Sequence, residues 1–310
     1  MNGLDISRDY FISAALPSLH VRFPKLLPRL AAGLVGNGSE CFGFDDEISR
    51  DHDWGADFFL WLPEELAAHI PELTVWKREL LELSPPKQPR TRSEYGARVA
   101  VSTVGDFYRS LIGVPRAPET LNEWINAPEE NLAMTVNGDV FMDNDGAFSD
   151  VRRTLLDFYP EDLRLKRMSY CCMSMAQTGQ YNFARSMRRG DVMAARSALS
   201  LFSDSAITLA FLLNKTYRPY YKWRARALRS LPLLSPEIAG DLLLLSDSSI
   251  SGNESLLSAA VERVCALCAA ALSAADLASP PDSFMTAHGE ALRAKISNKT
   301  LRQLPAQYNI

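Results

Sequence analysis

The sequence predicts an α+β half followed by an all-α half. Short runs rich in apolar and β-branched residues, typical of strands, occur before residue 147. After that position, apolar residues recur at helical spacing over long stretches. With 310 residues, 47% of them hydrophobic, the chain has enough apolar surface for two cores. We therefore expect one domain over residues 1–146 and a second, helical domain over residues 147–310.

The first half is predicted to combine a small sheet with a few helices. Strands are predicted over four short segments: 30–36, 53–62, 97–104 and 134–142. The last segment is interpreted as two strands joined at Asn137-Gly138, because this dipeptide favours the tight turn of a hairpin. Helices are predicted over 7–31, with breaks at its prolines, and over 63–83.

The second half is predicted to be helical throughout. The predicted helices span 147–158, 160–189, 191–216, 219–230 and 254–277. Apolar residues gather near one face of the last helix, which indicates that it packs in a helical core. Three aromatic residues, Tyr220, Tyr221 and Trp223, are expected in the core rather than stacked on a nucleotide base.

Composition and charge argue against several classes of protein. The formal net charge of −4 argues against a protein that coats nucleic acid, and we expect neither a nucleic-acid partner nor a membrane. The five cysteines are irregularly spaced, so no disulfide framework is expected and the cytoplasm is the predicted location. The first residues also lack the charged and apolar pattern of a secretory leader.

Charge is distributed unevenly along the chain. Residues 30–62 contain seven acidic residues and one basic residue, whereas residues 150–230 contain fifteen basic and six acidic residues. Two such segments can hold a metal ion and a polyphosphate between them. The alternative is a pair of solvated surfaces that never meet, and the charge pattern alone leaves both open.

A turn and a pair of acids form the most informative motif. Gly38-Ser39 follows the strand predicted over 30–36, and the missing side chain at Gly38 lets a phosphate approach the backbone. Ser39 supplies a hydroxyl and a backbone N–H for an anion. Asp51 and Asp53 are two residues apart, so on a strand both carboxylates point to one face and can share a divalent cation.

Gly-Ser followed after a short gap by Asp-x-Asp resembles the signature of the nucleotidyltransferase superfamily, which has a DNA polymerase beta-like fold. Further motifs resemble one branch of it, filed as domain of unknown function 4037. The motifs are Gly38-Ser39, Asp46, Ser49-Arg50-Asp51-His52-Asp53-Trp54, Val101-Ser-Thr-Val104, Gly138-x-Val140-Phe141-x-Asp143, Tyr159-Pro160 and Tyr217-x-Pro219-Tyr220-x-Lys222-Trp223. The resemblance covers about residues 5–235. It implies a small mixed-sheet nucleotidyltransferase domain followed by a helical-bundle domain.

The resemblance implies transfer of a nucleoside monophosphate. The protein is expected to bind ATP or another nucleoside triphosphate with one or two Mg²⁺ ions, and to move AMP to the hydroxyl of a small molecule. Asp51 and Asp53 would be the metal ligands and catalytic carboxylates, with Gly38 and Ser39 on the phosphates. A protein side chain or an RNA end remains open as the acceptor, and so does a homodimer as the assembly.

One position departs from the pattern of the superfamily. The resemblance implies a third carboxylate on a later strand, but that position is Ala100 here. Another acid can substitute, and the candidates are Asp106, Asp143 and Asp145. An enzyme with one tightly held metal ion also remains open, as does a nucleotide-binding regulatory or interaction protein without turnover. For Asp143, a catalytic acid and an N-cap of the helix from residue 147 remain open.

Three polar residues of the helical half are candidate nucleotide ligands. Asn182 and Arg185 are three residues apart and hence neighbours on a helix, where an amide and a guanidinium can contact a triphosphate or a base. Lys222 falls in the first turn of its predicted helix, a position that the helix dipole disfavours. The resemblance implies a lysine of the second domain on the β- and γ-phosphates, which we assign to Lys222. Packing of Lys222 on neighbouring aromatic rings is the alternative.

Overall fold

The computed structural model describes residues 2–51, 54–90, 100–247 and 249–310. The chain forms two compact units, Met1–Asp157 and Phe158–Ile310. The first combines helices with a small sheet, and the described part of the second is helical, so the predicted α+β class is confirmed.

The regular elements are numbered in chain order. In the first unit, helices α1–α7 are Gly3–Tyr10, Leu16–Arg22, Ile70–Leu83, Val104–Ile112, Leu121–Asn126, Glu129–Val136 and Ala147–Leu156. Strands β1–β4 are Ala31–Leu34, Phe59–Leu62, Val101–Thr103 and Asp139–Asp143. In the second unit, helices α8–α15 are Glu161–Met175, Ala184–Arg188, Val192–Leu213, Tyr221–Leu228, Ser235–Asp247, Glu254–Ala274, Met285–Ala294 and Lys299–Gln303.

The sheet is mixed and has the strand order β3-β2-β1-β4. Strand β1 pairs antiparallel with β2 and β4, whereas β2 and β3 are parallel. Every residue of β1 and β2 is buried, which explains why both segments are continuous apolar runs in the sequence. Strand β4 lies at an edge and is half-buried.

One face of the sheet packs on the N-terminal helices and α3. Helix α1, a π-helical turn over Phe11–Ala15 and α2 follow one another without a break, and a short 3₁₀ turn over Leu27–Arg29 completes the predicted helical region. The buried cluster on this face includes Phe11, Leu19, Phe58, Leu60, Leu62, Leu73 and Trp76. These helices therefore bury one side of β2.

The opposite face packs on α4 and α7. Trp61 points away from Leu60 because side chains alternate along a strand. Its ring stacks on Phe148 of α7 with 4.0 Å between ring centroids, and Phe107 of α4 lies 5.2 Å from Trp61. Phe148 is fully buried in this core. Helix α7 is thus part of the first unit, and the division falls after Asp157 rather than at the predicted residue 146.

The prediction of a hairpin over residues 134–142 is wrong. Its first half belongs to helix α6, and only its second half is a strand, β4, whose partner is β1. Helix α6 buries Leu132 and Ala133, so tertiary packing outweighs the local turn preference of Asn137-Gly138. This dipeptide instead joins a helix to an edge strand.

Two other predicted strands differ in extent. Strand β2 begins at Phe59 and not at residue 53. Before it, Ala56 forms an isolated bridge with Pro89, and Asp57 pairs with Lys77 of α3. Strand β3 is limited to Val101–Thr103 and passes directly into α4, for which Thr103 accepts a hydrogen bond from Asp106 N. Residues 97–99 of that predicted strand lie outside the described residues.

The second unit contains the predicted helices that follow residue 158, with shifted ends. The predicted segment 160–189 is α8, a π-helix over Ala176–Phe183 and α9 in succession. Helices α12, α14 and α15 are additional to those predicted. In the described residues, α10 and α13 are long and apolar enough to cross a membrane. Both pack against other helices of the unit, as core helices of soluble proteins do. Their length and composition are therefore weak evidence that they span a membrane.

All five cysteines are buried and unbridged. Cys171 and Cys172 lie on α8, and Cys265 and Cys268 lie on α13. Burial, followed by the neighbouring thiols, raises the pKa of Cys172 well above its ordinary value. Thiols in such surroundings are mostly protonated and therefore poor nucleophiles.

A buried ion pair fixes the chain just before β2. Lys77 of α3 is almost fully buried, and its Nζ lies 2.7 Å from Asp57 Oδ1. The same ammonium donates to the carbonyl of Phe58. Burial alone would raise the pKa of Asp57, but the charge and hydrogen bond of Lys77 hold that pKa below its ordinary value.

Phe148→Ala is expected to lower the free energy of unfolding by about 3–5 kcal/mol, because it leaves a cavity against Trp61. Leu156→Ala is the control, since this side chain of the same helix is 57% exposed and its loss should cost less than about 0.5 kcal/mol. Urea unfolding followed by tryptophan fluorescence measures both. Equal effects of the two substitutions would contradict the placement of α7 in the first core.

Lys77→Met is expected to lower the free energy of unfolding at pH 7 by about 3 kcal/mol, because it leaves the partly buried Asp57 carboxylate without its partner. In the wild type, the stability from Asp57 is present above the ordinary carboxyl pKa and is lost as the pH falls through the lowered folded pKa. In the variant, burial raises the pKa of Asp57, so protonation relieves the penalty. The deficit should therefore shrink in urea titrations as the pH falls from 7 towards the ordinary carboxyl pKa.

The exposed Lys25 provides the control for this substitution. Lys25→Met should change the unfolding free energy by less than about 0.5 kcal/mol at either pH. A deficit of Lys77→Met that stays constant across the pH range would contradict the assigned role of Asp57.

Candidate functional site

The Gly-Ser loop, residues 36–41, leaves the sheet at the end of β1. Asn37 is exposed, whereas Gly38 and Ser39 are half-buried. Gly38 has φ +129°, a backbone conformation that favours glycine. The Ser39 carbonyl accepts hydrogen bonds from Phe42 N at 3.1 Å and Phe44 N at 2.9 Å. A 3₁₀ turn over Glu40–Phe42 follows Ser39, and the Ser39 hydroxyl does not cap it. A hydroxyl at this position is suited to contact a ligand.

The side chain of Asn137 ties the start of this loop to the sheet. Its Oδ1 accepts from Gly36 N at 2.8 Å, and its Nδ2 donates to the Gly36 carbonyl, also at 2.8 Å. At the other end of the loop, Gly138 N donates to the Cys41 carbonyl at 2.6 Å. Gly138 has φ +61°, and a Cβ there would come within 2.0 Å of the Leu34 carbonyl oxygen, so only glycine fits. Two consecutive residues therefore hold both ends of the loop.

Arg152 of α7 holds the backbone around Asn137. Its Nη1 donates to the carbonyls of Thr135 at 3.2 Å and Asn137 at 2.7 Å. Its Nη2 donates to those of Val136 at 2.7 Å and Gly138 at 3.4 Å. The last carbonyls of a helix lack partners within the helix, and the planar guanidinium satisfies them here. Burial lowers the pKa of Arg152, but an arginine stays protonated in proteins.

Neither Asn137 nor Arg152 is among the predicted site residues. The Asn137-Gly138 pattern indicates a turn but carries no information about the contacts of the Asn137 amide. Arg152 is one of many basic residues in its region of the sequence, and nothing local distinguishes it.

Four acidic residues of the segment 30–62 have polar partners within the first unit. The pairs are Asp45 with Gly3 N and Trp54 Nε1, Asp46 with Ser49, Glu40 with Arg90, and Asp57 with Lys77. Two of these acids, Glu40 and Asp57, are thus paired with a cation, whereas Asp45 and Asp46 accept hydrogen bonds from neutral donors. Asp51, like Asp46, is exposed at the surface of the unit.

The predicted geometry of the Asp51-x-Asp53 pair is wrong at Asp51. This residue ends a 3₁₀ turn over Ile48–Asp51 and does not lie on a strand. The Asp46 carboxylate accepts from Ser49 N and Oγ at the start of that turn, which explains the local conformation. Asp53 and His52 lie outside the described residues, so a shared metal ion on Asp51 and Asp53 stays a prediction.

The described acids that could replace a third carboxylate are engaged in structural contacts. Ala100 precedes β3, and its carbonyl accepts from Leu60 N at 2.9 Å. Asp143 Oδ1 accepts from Gly146 N at 3.1 Å, and its Oδ2 accepts from Ser149 N at 2.7 Å. The N-cap residue of α7 is Gly146 and not Asp143, but the Asp143 carboxylate accepts from amides at the start of this helix and so has a structural role there.

The other two acids form ion pairs at the surface. Asp106 pairs with Arg109 one turn later in α4, and Asp145 accepts from Arg29 Nε at 2.8 Å. Their contacts do not by themselves point to a catalytic function.

Asn182 and Arg185 lie in one continuous helical stretch of the second unit. Asn182 belongs to the π-helix over Ala176–Phe183, and Arg185 belongs to α9. Arg185 Nη1 donates to the Tyr181 hydroxyl at 2.8 Å, and its guanidinium lies over that ring. π-Helical turns are rare and are often found at functional sites. Both side chains are half-buried, which leaves part of each accessible.

Lys222 lies in the first turn of α11, as predicted, and is exposed. Its Nζ lies 5.0 Å from the ring centroid of Trp223, which matches the alternative of packing on an aromatic ring. The prediction that Tyr220 and Tyr221 lie in the core is wrong, since they are 48% and 66% exposed. The buried Tyr217 anchors this segment instead.

The predicted residues are thus divided between the two units. Gly38, Ser39, Asp51 and Asp143 belong to the first unit, whereas Asn182, Arg185 and Lys222 belong to the second. Among the described residues, no group of three or more His, Cys, Asp or Glu side chains could hold a metal ion.

Comparison with known proteins finds a family match over part of the chain. The model of the family described as domain of unknown function (DUF4037) matches residues 124–224. This segment, about a third of the chain, resembles that family. The predicted family is therefore confirmed, and the DUF4037 match includes Asp143, Asn182, Arg185 and Lys222 but not the Gly-Ser loop. A comparison with curated proteins finds no match.

A solved structure of a nucleotidyltransferase-like protein from Exiguobacterium sibiricum 255-15 is similar to this chain at 13% sequence identity. The similarity covers 87% of this chain and 78% of the other, with a TM-score of 0.35.

Asp143→Ala is expected to lower the free energy of unfolding by about 1 kcal/mol, because it removes the acceptors for two amides before and in α7. Asp143→Asn keeps one acceptor oxygen and should cost less. Asp150→Ala is the control, since Asp150 lies in the first turn of the same helix, is exposed and pairs with the exposed Arg153. Urea unfolding of the three variants measures the differences, and an unaffected Asp143→Ala would contradict this structural role.

Proposed function

We propose that this protein is a magnesium-dependent nucleotidyltransferase that moves AMP from ATP to the hydroxyl of a small molecule. The observation that carries the proposal is the Gly-Ser loop at the end of the buried strand β1, with the half-buried Ser39 near its centre. The motif resemblance adds the acids Asp51 and Asp53. The DUF4037 match supports the family but names no activity.

The residues present fit Mg²⁺ by their chemistry. Mg²⁺ prefers hard oxygen ligands and is commonly held by one or two carboxylates together with the phosphates of a substrate. Asp51 is an exposed carboxylate and so accessible to such an ion, and Asp53 would be the second ligand. A bound Mg²⁺ would neutralise charge on the phosphates and polarise the reacting phosphorus.

The reaction would be an in-line displacement at the α-phosphorus. The acceptor hydroxyl oxygen forms a bond to the α-phosphorus, the bond to the bridging oxygen of pyrophosphate breaks, and the hydroxyl proton is lost. Ser39 would donate a hydrogen bond to a phosphate oxygen and hold the triphosphate in place. The assignment of Asn182, Arg185 and Lys222 to the nucleotide stays a prediction from the sequence. In such reactions the protein acts mainly by positioning and by stabilising charge.

A second candidate is a nucleotide-binding protein without turnover. Ala100 has no group that could bind a metal ion or accept a proton, and Asp143 is engaged at the start of α7. An active enzyme must therefore use one metal ion or a proton acceptor supplied in another way. Pyrophosphate release separates the two candidates, and a screen of small-molecule, protein and RNA acceptors would then identify the substrate. Cytoplasmic location and a homodimer stay predictions.

Isothermal titration with a non-hydrolysable ATP analogue tests nucleotide binding, which both candidate functions require. Binding should need Mg²⁺, and Asp51→Asn should weaken it at least about tenfold, because it removes the charge that attracts the cation. Asp150→Asn is the matched control, since it removes an exposed carboxylate of α7 and should leave the affinity unchanged. If the folded wild type binds no analogue of ATP, GTP, CTP or UTP, the proposal is wrong.

A further inference from the structure

The shape of the Gly-Ser loop depends on residues that lie outside the loop. The β1–β4 ladder ends with Leu34 opposite Asp139, so regular strand pairing does not reach Gly36. The two bonds between Gly36 and the Asn137 amide extend this pairing beyond the ladder. The bond from Gly138 N to the Cys41 carbonyl closes the far end of the loop.

The atoms that make these contacts are themselves fixed by Arg152. Its four hydrogen bonds reach the carbonyls of residues 135–138, which include both residues that touch the loop. Phe148 anchors helix α7 in the core, and an amide in the first turn of α7 donates to the Asp143 carboxylate. A continuous series of contacts therefore runs from the hydrophobic core to the segment that contains Ser39.

We propose that Asn137 and Arg152 are positioning residues that hold the Gly-Ser loop in the shape that presents Ser39 to a nucleotide phosphate. This inference rests on the proposed function, which assigns the loop to the phosphates. Neither residue need touch the nucleotide. Hydrogen-bonding groups that are fixed before the ligand arrives bind it with a smaller loss of conformational entropy, so loosening the loop should weaken nucleotide binding.

The reactivity of the Cys41 thiol can measure whether the loop is open. It lies within the loop and is 4% exposed, and its Sγ contacts the Asn37 carbonyl at 3.8 Å. The other four cysteines are buried in the second unit and serve as internal controls for unfolding. Opening of the loop should expose Cys41 alone, whereas global unfolding should expose all five.

The experiment labels the full chain with a maleimide and follows each cysteine by mass spectrometry, beside titration with the ATP analogue and Mg²⁺. Asn137→Ala removes two hydrogen bonds and Arg152→Ala removes four. Each substitution should speed labelling of Cys41 at least about tenfold and weaken analogue binding by about tenfold. Saturating analogue should slow the labelling of Cys41 in the wild type, a coupling that a purely structural contact would not produce.

Two controls match these substitutions. Asn131→Ala removes an amide of α6, the helix that ends just before Asn137, and this amide donates from Nδ2 to the Leu111 carbonyl at 2.7 Å. Arg153→Ala removes the exposed arginine next to Arg152. Both should leave the labelling rate of Cys41 and the affinity for the analogue within about twofold of wild type.

The outcomes separate this inference from the proposed function. A folded wild type that binds no nucleotide overturns both. A wild type that binds the analogue, beside Asn137→Ala and Arg152→Ala variants with unchanged affinity, overturns the positioning role alone, whether or not Cys41 becomes reactive. If Asn137→Ala exposes all five cysteines, Asn137→Asp decides, because it keeps the acceptor for Gly36 N but replaces the donor to the Gly36 carbonyl with a charged oxygen that repels it. Unchanged affinity and labelling in that variant would overturn the inference.

Discussion

The paired hydrogen bonds between Gly36 and the Asn137 amide join the end of β1 to the start of β4, and the candidate site depends on them. Strand β1 has four residues, all buried, and strand pairing alone cannot fix the loop beyond its end. A side-chain amide offers a donor and an acceptor in one plane and can thus imitate the pairing of a backbone peptide group. Ser39 lies three residues after this anchor, so the anchor limits the positions that its hydroxyl can reach.

Helix α7 explains why this anchor is rigid. One side chain, Phe148, stacks on Trp61 in the core, and another, Arg152, holds the backbone that carries the Asn137 amide. The Asp143 carboxylate, at the end of β4, accepts hydrogen bonds from amides at the beginning of the same helix. The helix therefore connects the end of an edge strand, the aromatic core and the loop. A domain boundary at residue 146 would place Phe148 and Arg152 in a different domain from the loop.

How far the sequence predicts this arrangement depends on how local each signal is. The apolar runs of β1 and β2 and the long helices of the second unit are predicted because burial shapes the sequence directly. The hairpin at Asn137-Gly138 fails because a local turn preference cannot show that the preceding residues pack as α6. The placement of Asp51 at the head of the second strand, taken from the Asp-x-Asp spacing, fails because that strand forms only from Phe59. The contacts of Asn137 and Arg152 join positions far apart in the chain, and no single-sequence pattern encodes them.

Several acids of the segment 30–62 also have structural roles within the first unit. Glu40, Asp45, Asp46 and Asp57 each contact a donor or cation of the first unit, so they serve its folding before any ligand arrives. A metal ion would then depend on Asp51 and Asp53, which supply two charges and leave most of its coordination to water and phosphate oxygens. Such a site gains affinity only when the nucleotide is present. Metal and nucleotide binding would therefore be coupled, and a loop held in place before the nucleotide arrives contributes to the affinity for both.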